Sequence, residues 1–453
     1  MTHAEIATET RPGPGALDRY FALSERGTSA RTEVLAGFTT FLTMAYIVLV
    51  NPAILSQAGM PIAAVTAATC LAAGVGSILM GLFANYPIAL APGMGLNAYF
   101  TFTVVKGMGV PWQVALGCVF LSGVAFLILT LAGVRQMIVG AIPKPLFSAV
   151  AAGVGLFIAF IGLKEAGIIV ADPATTVALG DLTKPTAALA ILGLLIMSGL
   201  MVWRVKGAIL IGILVAAGAA WALGLAKIVP GDYGLAALTA TAFKLDVPAA
   251  LHINGAMGVA MAEIIFVFLF VDLFDNVGTL VAVTKKAGLV QPDGTIPRLN
   301  RILTADSIAT IGGSLAGTST VVSYIESASG VAAGGRTGLT AIVVGLLFLV
   351  TLFFAPWVQA IPAAATAPAL IIVGSMMIGA LADIDWDDPG VAIPAFLTVI
   401  AIPLTFSIAN GLAFGITAYA GLTLLRGQAK PKDWLLFVLA ALFVARFIYM
   451  GAA

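Results

Sequence analysis

Residues 266–280, FVFLFVDLFDNVGTL, set Asp272 and Asp275 inside an otherwise apolar run. Read as a helix over 258–282, Asp272, Asp275, Asn276 and Thr279 stand at i, i+3, i+4 and i+7 and share one face. A second stretch, 317–334 (GTSTVVSYIESASGVAAG), is short, rich in Gly and Ser, and carries Glu326. Read as a helix over 319–333, it lines up Ser319, Ser323, Glu326, Ser327 and Gly330, with Ser319 or Thr318 as its cap. Small residues on such a stripe let a ligand approach the backbone. A third stretch, 88–105, is broken by Pro92-Gly93-Met94-Gly95 and then offers Asn97. A carboxyl group accepts hydrogen bonds when ionised and also donates when protonated, and an amide does both. Three carboxyls and an amide therefore suit hydrogen-bonded capture of a polar ligand. Phe270, Phe274, Tyr99 and Tyr324 are the neighbouring rings available for stacking.

The elements that must position these groups are membrane spans. Of 453 residues, 60% are hydrophobic and 9% charged, against roughly 25% charged in a soluble domain. Apolar stretches of span length fall near 35–55, 63–84, 88–105, 112–133, 147–168, 186–203, 207–225, 258–282, 301–316, 319–333, 337–356, 366–382, 391–408 and 411–426. One more, 433–450, is read as an extra span or an interfacial helix. With a cytoplasmic N-terminus, 17 of the 22 Lys and Arg residues fall on the cytoplasmic side, a positive-inside bias. That tally includes Arg135 and, in the tail, Arg446; Lys227 is among the residues on the other side. Residues 1–34 are polar and read as a cytoplasmic arm, with a short amphipathic helix on the membrane surface and no signal peptide.

The chain also repeats itself. GVGSILMG (74–81) precedes the first broken stretch and IGGSLAG (311–317) the second, while VKGAILIGILVAAG (205–218) and ANGLAFGITAYAG (409–421) match further on. Seven elements per repeat follow, and an odd number inverts the second half. The fold expected is an all-α integral membrane protein of 14 transmembrane segments in two inverted seven-segment repeats, with segments 3 and 10 broken. Interrupted segments at matching places of inverted halves point to a transporter's midplane site.

Other chemistry is disfavoured. GMGLNA (93–98) fits a loose dinucleotide pattern without a βαβ context, and there is no Walker loop, HExxH or nucleophile elbow. Cys70 and Cys118 lie in apolar runs and read as buried thiols; His3 and His252 are isolated, so no zinc site and no cofactor is expected. A net charge of +1 suggests no nucleic-acid partner. Uphill transport would then draw on an ion gradient. A single intramembrane acid can equally serve packing, for example by pairing with Arg336. Glu263 falls on the opposite face from Asp272, near the membrane boundary, and reads as a snorkelling residue. Asp306, beside Arg301, reads as an ion-pair or helix-cap residue at least as readily as a substrate contact.

APGMGLNAYF (91–100), FVFLFVDLFDNVGTL (266–280) and ADSIATIGGSLAGTSTVVSYIESASGVAAGGRTGLTA (305–341) resemble the AzgA-like purine permease branch of the nucleobase/ascorbate (nucleobase–cation symporter-2) superfamily, over about 35–426. The resemblance implies import of adenine, guanine or hypoxanthine with a proton across the inner membrane, and a homodimer. It implies a core domain over 35–133 and 251–356, a gate domain over 134–250 and 357–426, and a tail over 427–453. It maps substrate binding to Asn97, Asp272, Asp275 and Glu326; Phe270 and Ser323 are added as neighbours of the base. Burial beside a like charge is the setting in which a carboxyl exchanges a proton near neutral pH, so Asp272 or Glu326 is the expected proton-coupling residue. The core would move against the gate to alternate access. The rival readings are a uracil or xanthine permease, an anion carrier, a channel, and an intramembrane aspartyl enzyme using Asp272 and Asp275. Several carboxyls disfavour an anion, and two acids three residues apart on one helix are an unusual catalytic dyad.

Overall fold

A computed structural model describes residues 15–133, 143–225, 234–251, 255–291, 295–355 and 361–451. Arg11, Arg135, Lys227, His3 and His252 lie outside them. In chain order the elements are α1 (Ala16–Phe21), α2 (Ala30–Met44), α3 (Ile47–Ser56), α4 (Ile62–Leu79), β1 (Leu90–Pro92), α5 (Met94–Ala98) and α6 (Trp112–Leu131). Then come α7 (Lys144–Glu165), the hairpin β2 (Ile169–Asp172) and β3 (Thr176–Leu179), α8 (Pro185–Val202), α9 (Ala208–Ala222), α10 (Val247–Ala250), α11 (Gly255–Lys286) and α12 (Leu299–Ala316). The chain continues as β4 (Val321–Ser323), α13 (Ser327–Ala332), α14 (Gly338–Thr351), α15 (Ala363–Met377), α16 (Pro389–Leu404), α17 (Ile408–Leu425) and α18 (Trp434–Gly451). A π-helical stretch, Tyr99–Gly107, prolongs α5.

Each apolar stretch read from the sequence overlaps at least one of these elements, but 35–55, 88–105 and 319–333 are each divided between two or more. Among the described residues, eight helices are long and apolar enough to cross a membrane, and four shorter apolar helices accompany them. Their starts follow ordinary rules. Ser29, Thr337, Asp388 and Ser407 each accept a backbone N–H as N-cap, and proline opens α8 and α16. Among the described residues the fold is not wholly α-helical. The exposed β2–β3 hairpin was not anticipated, and β1 pairs with β4.

The helices pack in two sets. In one, α4 lies on α14 and α12, and α6 lies on α12; in the other, α7 lies on α15 and α16, α8 on α9 and α15, and α16 on α17. Glycine permits the closest approaches. A Cβ on Gly338 would overlap the Gly81 carbonyl, one on Gly345 the Gly74 carbonyl, and one on Gly374 the Gly155 carbonyl. Close backbone contact of this kind drives helix association where lipid removes the hydrophobic incentive. The 433–450 stretch is helix α18, packed on α17.

Candidate functional site

Two short strands place the site. β1 and β4 pair antiparallel, with Leu90 opposite Ser323, Ala91 opposite Val322 and Pro92 opposite Val321. The Gly93 N–H donates to the Thr320 carbonyl (2.9 Å) and the Tyr324 N–H to the Ala89 carbonyl (3.0 Å), extending the ladder at both ends. Both strands are buried. An extended backbone is tolerated at membrane depth only when its polar groups are satisfied by protein, and each strand does this for the other. Each strand then leads into a short helix, α5 or α13, and α11 packs against both helices and β4.

Residues 319–333 are therefore not one helix. Val321 and Val322 are β-branched, suit a strand and pair with 90–92, so helix α13 starts only at Ser327. Neither Thr318 nor Ser319 caps it. Thr318 Oγ1 instead accepts from Asn51 Nδ2 at 2.9 Å, and the Ser319 hydroxyl donates to Asn97 Oδ1. The expected serine stripe is divided between a strand and a helix, and its members meet different partners.

The polar stripe on α11 forms as the spacing predicts, and splits in two. Asp272, Asn276 and Thr279 are buried. Asn276 is the hub of a network: its Nδ2 donates to Asp272 Oδ1 (2.7 Å) and Asp306 Oδ2 (2.6 Å). Its Oδ1 accepts the Ser323 N–H at 3.0 Å, and the Ser323 hydroxyl donates to Asp306 Oδ1 at 3.2 Å. Asp306 is fully buried eight residues into α12, so it is not a helix cap; it holds this network. Asp272 and Ser323 thus face the network that ties α11, α12 and β4 together.

Asp275 and Glu326 are not among the hydrogen-bonded members of that network. The Asp275 side chain is exposed, unlike its stripe partners Asp272, Asn276 and Thr279. Glu326, at the N-terminal end of α13, is half-buried and lies within electrostatic reach of Asp275, as does Tyr324. The Tyr46 hydroxyl donates to Glu326 Oε1 at 2.6 Å. Asn97 is fully buried, and its Nδ2 has no hydrogen-bond partner among the described residues. Turning the amide would leave its oxygen unpaired instead, so one polar atom stays free in either orientation.

The rings are already engaged. Phe270 is buried 5.3 Å from Phe266, Tyr99 meets Phe268 edge-on at 5.2 Å, and the Tyr324 hydroxyl donates to the Pro92 carbonyl at 2.6 Å. The Phe274 side chain lies outside the described residues. Two other charges also have definite places. Glu263 accepts from Arg446 Nε of α18 at 2.6 Å, both side chains being mostly buried, so it is an ion-pair partner and does not snorkel. Arg446 is accordingly no loop charge. Arg336 Nη1 donates to the Val331 and Gly335 carbonyls, not to a carboxyl of the site.

Tyr46, Asn51 and Glu33 escaped the sequence reading. Glu33 is fully buried and accepts the N–H groups of Arg336, Thr337 and Thr340 at the start of α14. Its only sequence signal is an acid at the edge of an apolar run. Tyr46 and Asn51, in MAYIVLVN, carried no periodic signal, because the helix there breaks between α2 and α3.

A bundle of apolar helices around two buried paired strands, with buried carboxyl groups beside them, fits a multi-pass integral membrane transporter, and comparison with known proteins shows a transporter and not an enzyme. The profile described as the Permease family (Xan_ur_permease) matches residues 31–449, and the chain belongs to this family, in the AzgA-like branch of the nucleobase/ascorbate superfamily. It is 50% identical over 435 residues to a putative permease of Methanocaldococcus jannaschii, covering 96% of this chain and 99% of the relative. It is 45% identical over 452 residues to the adenine permease AdeP of Escherichia coli, covering all of both, and 46% identical over 440 residues to the guanine/hypoxanthine permease PbuG of Bacillus subtilis, covering 95% and 99%. Among solved structures, the transmembrane domain of the cyanobacterial bicarbonate transporter BicA superposes with a TM-score of 0.60 at 17% identity, covering 90% of this chain and 97% of that one. Murine Solute Carrier 26 family member A9 gives 0.63 at 12% identity, covering 87% and 68%. These two likenesses concern the fold.

Proposed function

We propose that the protein imports purine nucleobases (adenine, guanine or hypoxanthine) by proton symport, binding the base in the recess between α11 and the two strand–helix segments. What supports this reading is the proximity of the Asp275 and Glu326 carboxyls, together with the buried, half-satisfied amide of Asn97 on the other strand–helix segment. A purine presents ring and exocyclic N–H donors along one edge and ring-nitrogen acceptors along another. Carboxyl oxygens suit the donors, and an amide or a protonated carboxyl suits the acceptors. The names of the relatives, adenine permease and guanine/hypoxanthine permease, support the same class of substrate.

Asp275 and Glu326 touch the base in this account. Asp272, Ser323 and Phe270 shape the wall behind it, and Asn97 reads an edge. Glu326 takes up the proton as the base enters and gives it up on the cytoplasmic side. Bringing two acids together beside a neutral ligand makes one added proton favourable, and that couples the two fluxes.

The packing pattern supports inverted repeats with a core moving against a gate. Numbering the segments in order, α4 on α14 pairs the second with the eleventh, and α12 on α6 pairs the ninth with the fourth, which is the same contact with the halves exchanged. The contacts of α7 with α16 and of α15 with α8 exchange in the same way, and β1 with β4 joins the third to the tenth. An elevator-like motion of 35–133 with 251–356 against 134–250 with 357–426 follows, in a homodimer of the inner membrane with the N-terminus cytoplasmic. Glu326→Gln tests the coupling. We expect the variant to reach the membrane folded and to lose concentrative uptake of adenine, guanine and hypoxanthine; wild-type accumulation in the variant would overturn the assignment.

A further inference from the structure

We infer that Tyr46 is a positioning residue for base recognition, acting through Glu326. This rests on the reading that Glu326 binds the base. Tyr46 sits at the break between α2 and α3, is almost fully buried, and makes its hydrogen bond to Glu326 Oε1 at 2.6 Å. Glu326 stays only half-buried, so the carboxyl that Tyr46 holds is not fully enclosed by protein. A glutamate side chain has three torsions to fix before it can meet a base in one geometry, and loss of that freedom on binding weakens affinity. A tyrosine hydroxyl delivered from a buried ring fixes them beforehand.

The bond is one half of a two-point clamp. One turn back, Thr43 Oγ1 meets Ser329 Oγ at 2.8 Å, and the Ser329 hydroxyl also donates to the Glu326 carbonyl at 2.6 Å. Thr43 and Tyr46 are three residues apart, as are Glu326 and Ser329, so one helical turn of α2–α3 grips one turn of α13. Gly330 completes the contact, since a Cβ there would overlap the Thr40 hydroxyl. The Thr43–Ser329 half of the clamp holds the backbone; the Tyr46–Glu326 half aims the carboxyl. That difference separates positioning from plain structural support.

The test is a double-mutant cycle on the full-length protein in nanodiscs, reading the Kd of radiolabelled adenine, guanine and hypoxanthine and the KM of uptake in cells. A lost hydrogen bond to a charged group is worth about tenfold in affinity or more. Tyr46→Phe is expected to weaken binding of the bases by about tenfold, to raise KM with little change in maximal rate, and to have no further effect in a Glu326→Ala background, which has no acceptor for the hydroxyl. Thr43→Val, which removes the other half of the clamp, is expected to leave Kd within about twofold, as a residue without charge-assisted contact to the ligand-binding group should. Glu326→Asp, which withdraws the carboxyl by one methylene, supplies a second route: Tyr46→Phe should then cost nothing extra. Unchanged affinity in Tyr46→Phe overturns the proposal, as does a full additional loss in the Glu326→Ala background or an equal loss in Thr43→Val. If the wild-type protein binds none of the three bases, the failure lies with the substrate reading and not with Tyr46.

Discussion

Asn276 offers the sharpest structural prediction. Its side chain donates both N–H groups, to Asp272 and Asp306, and accepts the backbone N–H of Ser323. All four residues are buried. Asn276→Ala removes three hydrogen bonds together: one donor from each of two buried carboxyl groups and the acceptor of the Ser323 N–H. A hydrogen bond to a charged group contributes about 1.5–3 kcal/mol, and an orphaned buried polar group costs about 1–3 kcal/mol. These terms are coupled through one hub and do not simply add; breaking a buried charged network by one partner costs about 3–5 kcal/mol. For a chain of this size that corresponds to a fall in thermal midpoint of roughly 3–5 °C. The assay is thermal unfolding of the detergent-purified protein followed by size-exclusion chromatography. Because Ser323 is three residues before Glu326 and is anchored by this hub, affinity for the bases should fall as well. Asn276→Gln, which keeps the amide on a longer arm, should recover part of neither property, since the hub geometry is buried and fixed. A variant Asn276→Ala with wild-type midpoint and wild-type affinity would refute the reasoning.

Three further predictions follow from other contacts. Arg446→Met breaks a mostly buried pair with Glu263 and the bond from Nη1 to Asn410 Oδ1, and should cost about 3–5 kcal/mol; pairing it with Glu263→Met should recover much of the loss, read as thermal midpoints. Gly374→Val drives a side chain into the Gly155 carbonyl between α15 and α7 and should destabilise by about 1–3 kcal/mol, or prevent accumulation of folded protein in the membrane. The exposed Arg426–Asp388 bridge should matter little: Asp388→Asn is expected to leave the midpoint at neutral pH nearly unchanged. Hydrogen bonds from the Arg426 side chain, and then from the Gly390 N–H, hold the Asp388 carboxyl below its ordinary value of 3.8. Its contribution is therefore present above that value and disappears only as acid carries the pH down through the lowered one, which a comparison of wild type and variant across acid pH will register.

Much of this architecture was legible in the sequence. Span length and apolarity are enforced by the bilayer itself, so the helices announced themselves, and α11 kept the period that put Asp272, Asp275, Asn276 and Thr279 on one stripe. What was not legible came from pairing between distant segments. Whether 319–323 is strand or helix depends on 90–92, more than two hundred residues away, and a Ser- and Val-containing run does not declare that partner. The same holds for Asp306, whose role is set by Asn276 and Ser323, and for Glu263, whose partner lies on the tail helix. Tyr46 stands in an unbroken apolar string, and only the fold shows its hydroxyl meeting Glu326.

The central claim is uphill movement of a purine base driven by a proton gradient. The direct measurement is uptake of radiolabelled adenine, guanine and hypoxanthine into proteoliposomes holding the purified protein, with an imposed inward proton gradient, with a protonophore, and with unlabelled xanthine, uracil and bicarbonate as competitors. The account predicts accumulation of at least one of the three bases above its outside concentration, collapse of that accumulation with protonophore, and little competition by bicarbonate. Accumulation unaffected by the protonophore, or saturable uptake of uracil or bicarbonate with none of the purines, would contradict it.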